Sequence, residues 1–236
     1  MFNPNPRIGT MPIAGRHVCY VIDDALLDPD ALVEYAANHR DRFEETGHNA
    51  YPGPELRMPD DFSAQLDAFF SQHLRKAFGV RRTERMYSRL ALTATSPDAL
   101  KPYQSLCHMD RMNMQAHERV IASVLYLFRD ERLGGTSFYG PKHPPETILP
   151  LIADSLKLDA AAFYERYGVR SGYITESNAY FEKLATVPAR YNRIVFYEGT
   201  LFHSGEIARP DLLTRDPRSG RLSLNGFFNC RRNLDT

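Results

Sequence analysis

Between Tyr87 and Asn229 the chain is mostly a series of short β-rich runs broken by Pro, Asp and Gly, and no other feature limits its fold so much. The runs fall at 87–95, 103–109, 120–128, 136–139, 193–197, 201–204 and 221–229. Strands this short bury an apolar face only by packing sheet against sheet or by closing into a barrel. Ahead of them, 18–23 reads as a strand. A helix then opens where Asp28 can cap and Pro29 suits the first helical position. Leu32, Ala36, His39 and Phe43 recur at helical spacing along it. After the turn at Tyr51-Pro52-Gly53, a second helix is predicted over 60–78, with Phe62, Leu66, Phe69 and His73 on one face and Gly79 to end it. The stretch 141–186 reads as a helical insertion, with Asp159 capping 160–167 and a further helix near 177–184. Helices followed by many short strands predict an α+β domain built on a β-barrel or jelly roll. The 236 residues suffice for one domain, 1–236: an N-terminal strand and supporting helices over 17–80, and a β core over 85–230.

Composition narrows the function. Formal net charge is zero, so neither nucleic acid nor an anionic membrane is the expected partner. Residues 1–16 lack the cationic start and apolar block of a signal peptide, and the run 18–22 is far too short to span a bilayer. Cys19, Cys107 and Cys230 are odd in number and show no C-x-x-C spacing, which argues against a disulfide framework or zinc ribbon. Together these predict a cytoplasmic protein acting on a small molecule.

Two H-x-D triplets occur, at His39-Arg40-Asp41 and His108-Met109-Asp110. Helical residues two apart point roughly 200° from each other, at about 100° per residue, so the first triplet cannot grip one ion and His39 reads as a packing residue. Strand residues two apart share a face. His108 and Asp110, at the end of a β-rich run, can therefore point into one cavity. A second histidine would complete the 2-His-1-carboxylate triad that leaves positions open on Fe(II). His73 lies on a helix, His117-Glu118 begins no H-E-x-x-H motif, and His17, His48 and His143 sit in Pro- or Gly-flanked stretches. Only His203 ends a strong apolar strand block, 194–205.

An oxygenase of this kind that uses 2-oxoglutarate must also hold a distal carboxylate, which suits the planar fork of arginine. Arg209, Arg215, Arg218, Arg231 and Arg232 follow His203 among Pro and Asp or near the terminus. Arg221 instead opens a strand in which Arg221, Ser223 and Asn225 share one face and Leu222 and Leu224 the other. A polar face led by an arginine suits a strand lining a polar pocket. Tyr126 could add a phenolic hydrogen bond to the same carboxylate.

The order His108-x-Asp110, Leu125-Tyr126-Leu127, Gly134-Gly135-Thr136-Ser137-Phe138, Arg193-Ile194-Val195-Phe196-Tyr197, His203-Ser204-Gly205 and Arg221-Leu222-Ser223 resembles the prolyl 4-hydroxylase-like group of Fe(II)/2-oxoglutarate-dependent oxygenases. The resemblance covers about 87–229, and the opening Asp23-Asp24…Asp28-Pro29 is similar to a bacterial branch of that group. It implies a double-stranded β-helix, of the jelly-roll or cupin-like kind, with supporting N-terminal helices. It implies iron on His108, Asp110 and His203, 2-oxoglutarate held by Arg221 with Ser223 and Tyr126, and dioxygen as co-substrate. The implied activity is that of a dioxygenase hydroxylating a C–H bond of a small molecule such as an amino acid or metabolite. Asp110 argues against a halogenase, which lacks that carboxylate. Tyr87, Arg89, Arg111 and Asn113 flank the expected cavity and are candidates to touch substrate. The chain departs from the group in a long stretch between His203 and Arg221, which leaves Arg209 and Arg215 as alternative anchors. Its large insertion could serve as a lid or a homodimer contact. A cupin-like metal-binding or sensor protein without turnover, or an iron enzyme of the same fold not using 2-oxoglutarate, are the rival readings.

Overall fold

The computed structural model describes residues 1–15, 17–45, 50–111 and 114–232. Among these residues, ten strands form two antiparallel sheets. They are β1 (Ile8–Ala14), β2 (His17–Ile22), β3 (Glu55–Arg57), β4 (Val80–Thr93), β5 (Glu118–Tyr126), β6 (Thr136–Pro141), β7 (Phe181–Val187), β8 (Arg193–Glu198), β9 (Phe202–Gly205) and β10 (Arg221–Arg232). The larger sheet runs β1-β2-β8-β5-β10-β4-β3 and the smaller β7-β6-β9. The arrangement is jelly-roll-like: sequence neighbours such as β8 and β9 belong to opposite sheets. Among the described residues no helix is long and apolar enough to cross a membrane.

Strand alternation distributes the larger sheet between two cores. Leu90 and Leu92 of β4, Ile121 and Leu125 of β5, Ile194 and Phe196 of β8, and Leu222, Leu224 and Phe228 of β10 point to one face. Two helices cover that face, α1 (Pro29–Asn38) and α2 (Asp60–His73), through Leu32, Val33, Ala36, Phe62, Leu66, Phe69 and Phe70. Helix α1 begins as its sequence predicts, with Asp28 accepting a hydrogen bond from the Ala31 amide at 3.1 Å and Pro29 following. The opposite face, with Ala122, Tyr126, Val195 and Tyr197, meets Phe138 and Val187 of the smaller sheet. A third apolar cluster seats α3 (Pro145–Ser155) and α4 (Ala160–Tyr167) against Tyr139, Phe181 and Phe202 of that sheet.

Several elements differ from the sequence reading, and α1 ends at Asn38, short of His39 and Phe43. The run 103–109 is not a strand: it holds a 3₁₀ turn over Pro102–Gln104 and then a single bridge, His108 to His203. The residues near 177–184 are not a helix. Asn178 Oδ1 accepts from the amides of Tyr180 and Phe181, both at 2.9 Å, and this side-chain turn launches β7 instead. The insertion thus contributes a strand to the core sheets as well as α3 and α4. Helix α2 stops at His73, and tight turns carry the chain to Gly79, whose φ is +61°. Strands β1 and β3 lie at the two edges of the larger sheet, where their short or proline-containing sequences gave no alternation to read.

Gly134 is required by its conformation. Its φ is +82°, and a Cβ there would overlap the Glu206 carbonyl oxygen. Gly134→Ala is therefore expected to lower folding stability by at least ~3 kcal/mol, since backbone strain and a steric clash add. A chemical-denaturation midpoint equal to that of the unmodified chain would contradict this.

Candidate metal centre

The His108-Met109-Asp110 triplet is pinned by β9 and by the turn between β8 and β9. The His108 amide donates to the His203 carbonyl at 3.0 Å, and the His203 amide donates back at 2.9 Å. Two residues on, the Asp110 amide donates to the Gly199 carbonyl at 2.8 Å. With alternate backbone groups tied to one partner segment, the two side chains share a side. One donor atom from each of His108, Asp110 and His203 lies within 4.8 Å of the others. His203 Nε2 is 3.7 Å from Asp110 Oδ1, and the two imidazole centroids are 4.5 Å apart.

The protonation of this cluster follows from its surroundings. The His203 Nδ1–H donates to the Leu201 carbonyl at 2.9 Å, because a carbonyl can only accept, and this turns Nε2 toward Asp110. Burial, with neighbouring His203 and Arg89, holds His108 well below the usual imidazole range, so it is neutral. Burial raises the Asp110 carboxyl above its ordinary value, against the pull of His203 and Arg89. Asp110 Oδ2 is buried with no hydrogen-bond partner among the described residues. A buried carboxylate oxygen without a donor is costly, and a cation would satisfy it. Two imidazoles and a carboxylate, spread over little more than one ion bound at about 2 Å would draw together, fit a divalent metal.

The cluster opens on a cavity of about 300 Å³ between the sheets. Its floor is the alternate face of the larger sheet: Tyr87, Arg89 and Thr93 of β4, and Arg221, Ser223, Asn225 and Phe227 of β10. The alternation read from 221–229 therefore holds, with Leu222 and Leu224 in the helix-covered core. Arg221 is 3% exposed and has no carboxylate in ion-pair contact among the described residues. Its Nε donates to Leu133 O at 2.9 Å, its Nη2 to Gly135 O at 2.8 Å and Gly134 O at 3.1 Å, and its Nη1 to Thr93 Oγ1 at 3.3 Å. The Gly134-Gly135 turn thus aims carbonyls at one edge of the guanidinium. Thr93 also bonds the Tyr51 hydroxyl at 2.6 Å.

The other sequence candidates are placed as follows. Ser223 is buried on the cavity face, beside the Tyr51 hydroxyl. Tyr126 is fully buried behind the wall and bonds Thr136 Oγ1 at 2.8 Å; Thr136 is the cavity-lining member of that pair. Tyr87 and Arg89 line the cavity, whereas Arg111 pairs with Glu118 at 3.1 Å away from it. Asn113 lies outside the described residues. Arg209 and Arg215 are exposed and pair with Asp211 and Glu45, each at 2.6 Å. His39 caps α1 at its C-terminal end, half-buried. The sequence reading did not name Tyr51, Glu55, Thr93, Tyr173 and Tyr197 as cavity residues. Tyr197 and Thr93 could have been found by extending the alternation of β8 and β4. Tyr51, Glu55 and Tyr173 come from a turn, an edge strand and the insertion, and carry no periodic signal.

The sequence matches a family described as being of unknown function (DUF6445) over residues 4–228. No curated protein matches the chain. Among solved structures it is similar to a prolyl-4-hydroxylase from Pseudomonas putida, with 17% identity, 92% of this chain and 94% of that one covered, and a TM-score of 0.46. It is similar to HygX from Streptomyces hygroscopicus, solved with nickel and 2-oxoglutarate bound, with 12% identity, coverage of 92% and 84%, and a TM-score of 0.44. A third is the viral collagen prolyl hydroxylase vCPH from Paramecium Bursaria Chlorella virus-1, with 12% identity, coverage of 91% and 90%, and a TM-score of 0.43.

Proposed function

We propose that this chain, which belongs to the DUF6445 family of unknown function, is a non-haem Fe(II)/2-oxoglutarate-dependent oxygenase that hydroxylates a C–H bond of a small molecule. Its two facing sheets are then a double-stranded β-helix. The observation that carries the reading is Arg221: a buried guanidinium, unpaired with any carboxylate among the described residues, in the same cavity as His108, Asp110 and His203. A buried cation with no counter-ion calls for an anionic ligand. The spacing suits a five-carbon diacid. A Cβ on Gly205 would lie 3.3 Å from Arg221 Nη2, and His203 is two residues back along the same strand, about 6.7 Å at the usual rise.

In this reading His108, Asp110 and His203 would hold Fe(II). Arg221, steadied by the Leu133–Gly135 carbonyls and Thr93, binds the distal carboxylate, with Ser223 Oγ beside it. Bound there, iron and 2-oxoglutarate supply oxidation of a C–H bond by dioxygen, yielding alcohol, succinate and carbon dioxide. The apolar neighbours Val124, Ile207 and Phe227 limit water in the cavity.

Gly199 supports the metal arm. A Cβ there would lie 2.8 Å from Asp110 Oδ2 and 2.8 Å from Val120 Cγ1. Gly199→Ala should therefore displace the carboxylate and weaken metal binding roughly 10–100-fold, the scale seen when a ligand's supporting contact is lost. Calorimetric titration with Fe(II) or Ni(II) reads this directly, and unchanged affinity would remove Gly199 from that role.

The central test is an anaerobic titration with Fe(II) and then 2-oxoglutarate. The expected result is a weak visible charge-transfer band that needs both additions. Iron binding with no spectral or thermal response to 2-oxoglutarate would sink the reading in favour of an iron protein using another co-substrate.

A further inference from the structure

A second arginine lies on the cavity floor, apart from Arg221. Arg89 of β4 stands opposite Asn225 of β10, two same-face positions along the strand from Arg221 opposite Thr93. Its Nη1 pairs with Glu55 of β3 at 2.5 Å, and the two side chains are only 23% and 5% exposed. The guanidinium carbon sits 4.7 Å from the Phe227 ring centroid and 5.8 Å from that of Tyr87, and the two rings stack at 5.0 Å. Arg89 Nε is buried with no hydrogen-bond partner among the described residues. Residues Glu55, Tyr87, Arg89, Asn225 and Phe227 all line the cavity.

This is a poor way to stabilise a sheet. A buried ion pair typically gains little over apolar side chains of the same volume, and a donor left unbonded costs more. Glu55 also sits on β3, an edge strand of three residues. An aromatic shelf beneath a guanidinium whose Nε–H lacks an acceptor is instead a receptor for an acceptor group. Charge restricts the ligand further. The ionisable side chains lining the cavity, histidines and tyrosines aside, are Glu55, Asp110, Arg89 and Arg221, whose charges cancel. Fe(II) and the 2-oxoglutarate dianion cancel as well. A substrate of net charge would be left unbalanced in a closed site, whereas a zwitterion would not.

We propose that Arg89 and Glu55 are the recognition pair for the primary substrate, and that this substrate is a free amino acid. Its carboxylate meets the Nε edge of Arg89, its ammonium faces the Glu55 carboxylate, and its hydrocarbon portion lies against Tyr87 and Phe227. The assignment rests on the oxygenase reading for its chemistry and on Arg89 and Glu55 for its specificity.

The test is a binding series on the full chain, by thermal shift and calorimetry, with and without Fe(II) and 2-oxoglutarate under anaerobic conditions. The probes are the common L-amino acids, each compared with its carboxamide and its N-acetyl derivative. At least one free amino acid should bind, and both derivatives should bind at least about tenfold more weakly, the loss of one charge-assisted hydrogen bond. Arg89→Met should lose the discrimination between acid and amide, and Glu55→Gln that between free and acetylated amine. Where a variant does not fold, the derivative series on the unmodified chain decides alone. No binding by any amino acid, or equal binding of acid and amide, overturns the assignment. The chelate band separates the two ideas. A band without amino-acid binding refutes only the recognition pair. Amino-acid binding that discriminates in these ways without a band refutes only the oxygenase reading. Neither band nor binding refutes both.

Discussion

Replacing His203 by alanine is expected to lower Fe(II) affinity by well over 100-fold and to abolish the visible band with 2-oxoglutarate. Losing a partner that merely orients a ligand costs roughly 10–100-fold, and loss of the ligand itself costs more. The imidazole has no substitute nearby, since the other two donors come from a single triplet, His108 and Asp110, and no other cluster of metal-ligating residues occurs among the described residues. The fold should survive. The backbone bridge between His108 and His203 does not involve the side chain, and the variant loses one bond to Leu201 O, ring contacts with Tyr197 at 4.7 Å and His108 at 4.5 Å, and the approach to Asp110 at 3.7 Å. Asp110→Asn makes the control. It should lose metal affinity comparably yet leave the metal-free protein at least as stable, because the amide replaces a buried carboxylate whose Oδ2 has no donor. Metal titration and thermal unfolding of both metal-free variants check this. Retention of iron affinity in His203→Ala would remove His203 from the triad.

Arg221→Leu should weaken 2-oxoglutarate binding by roughly two orders of magnitude or more while leaving Fe(II) affinity nearly unchanged. Truncating one partner of a buried hydrogen-bonded charge pair costs about 2–5 kcal/mol. The same variant should be less stable by about 1–3 kcal/mol, because the carbonyls of Leu133, Gly134 and Gly135 lose their donor. Arg221→Lys keeps the charge but loses the planar fork, and should fall between the two. Arg209→Leu and Arg215→Leu should leave 2-oxoglutarate affinity unchanged, since both residues are spent on exposed pairs with Asp211 and Glu45. Unaltered 2-oxoglutarate affinity in Arg221→Leu, read from the chelate band, would overturn the role given to Arg221.

Much of the site was legible because it lies on regular strands. Period-two alternation separated Arg221, Ser223 and Asn225 from Leu222 and Leu224. The difference between helix and strand geometry set His108 and Asp110 above His39 and Asp41, although neither triplet lies in the element expected for it: the first is the cap and 3₁₀ turn that follow α1, and the second is a bridge rather than a strand. Alternation says which way a side chain points, not how far it reaches. Tyr126 points toward the cavity face yet ends at Thr136, behind the wall. Strand β7 was misread because its start is set by one Asn178 side chain accepting two amides, a local turn that competes with helix capping in the same polar residues.

The sequence by itself determined the sheet-dominated class, the α1 start at Asp28-Pro29, the two faces of β10 and the donor types that could meet a metal. These follow from backbone periodicity and side-chain chemistry, which act over a few residues. The tertiary structure alone decided that His203 closes on His108 and Asp110, that the Leu133–Gly135 carbonyls grip Arg221, and that Glu55 from an edge strand pairs with Arg89 on the cavity floor. Each of these joins segments from different parts of the fold. Their meeting depends on strand order and on how one sheet packs over the other, and neither leaves a repeating mark along the chain.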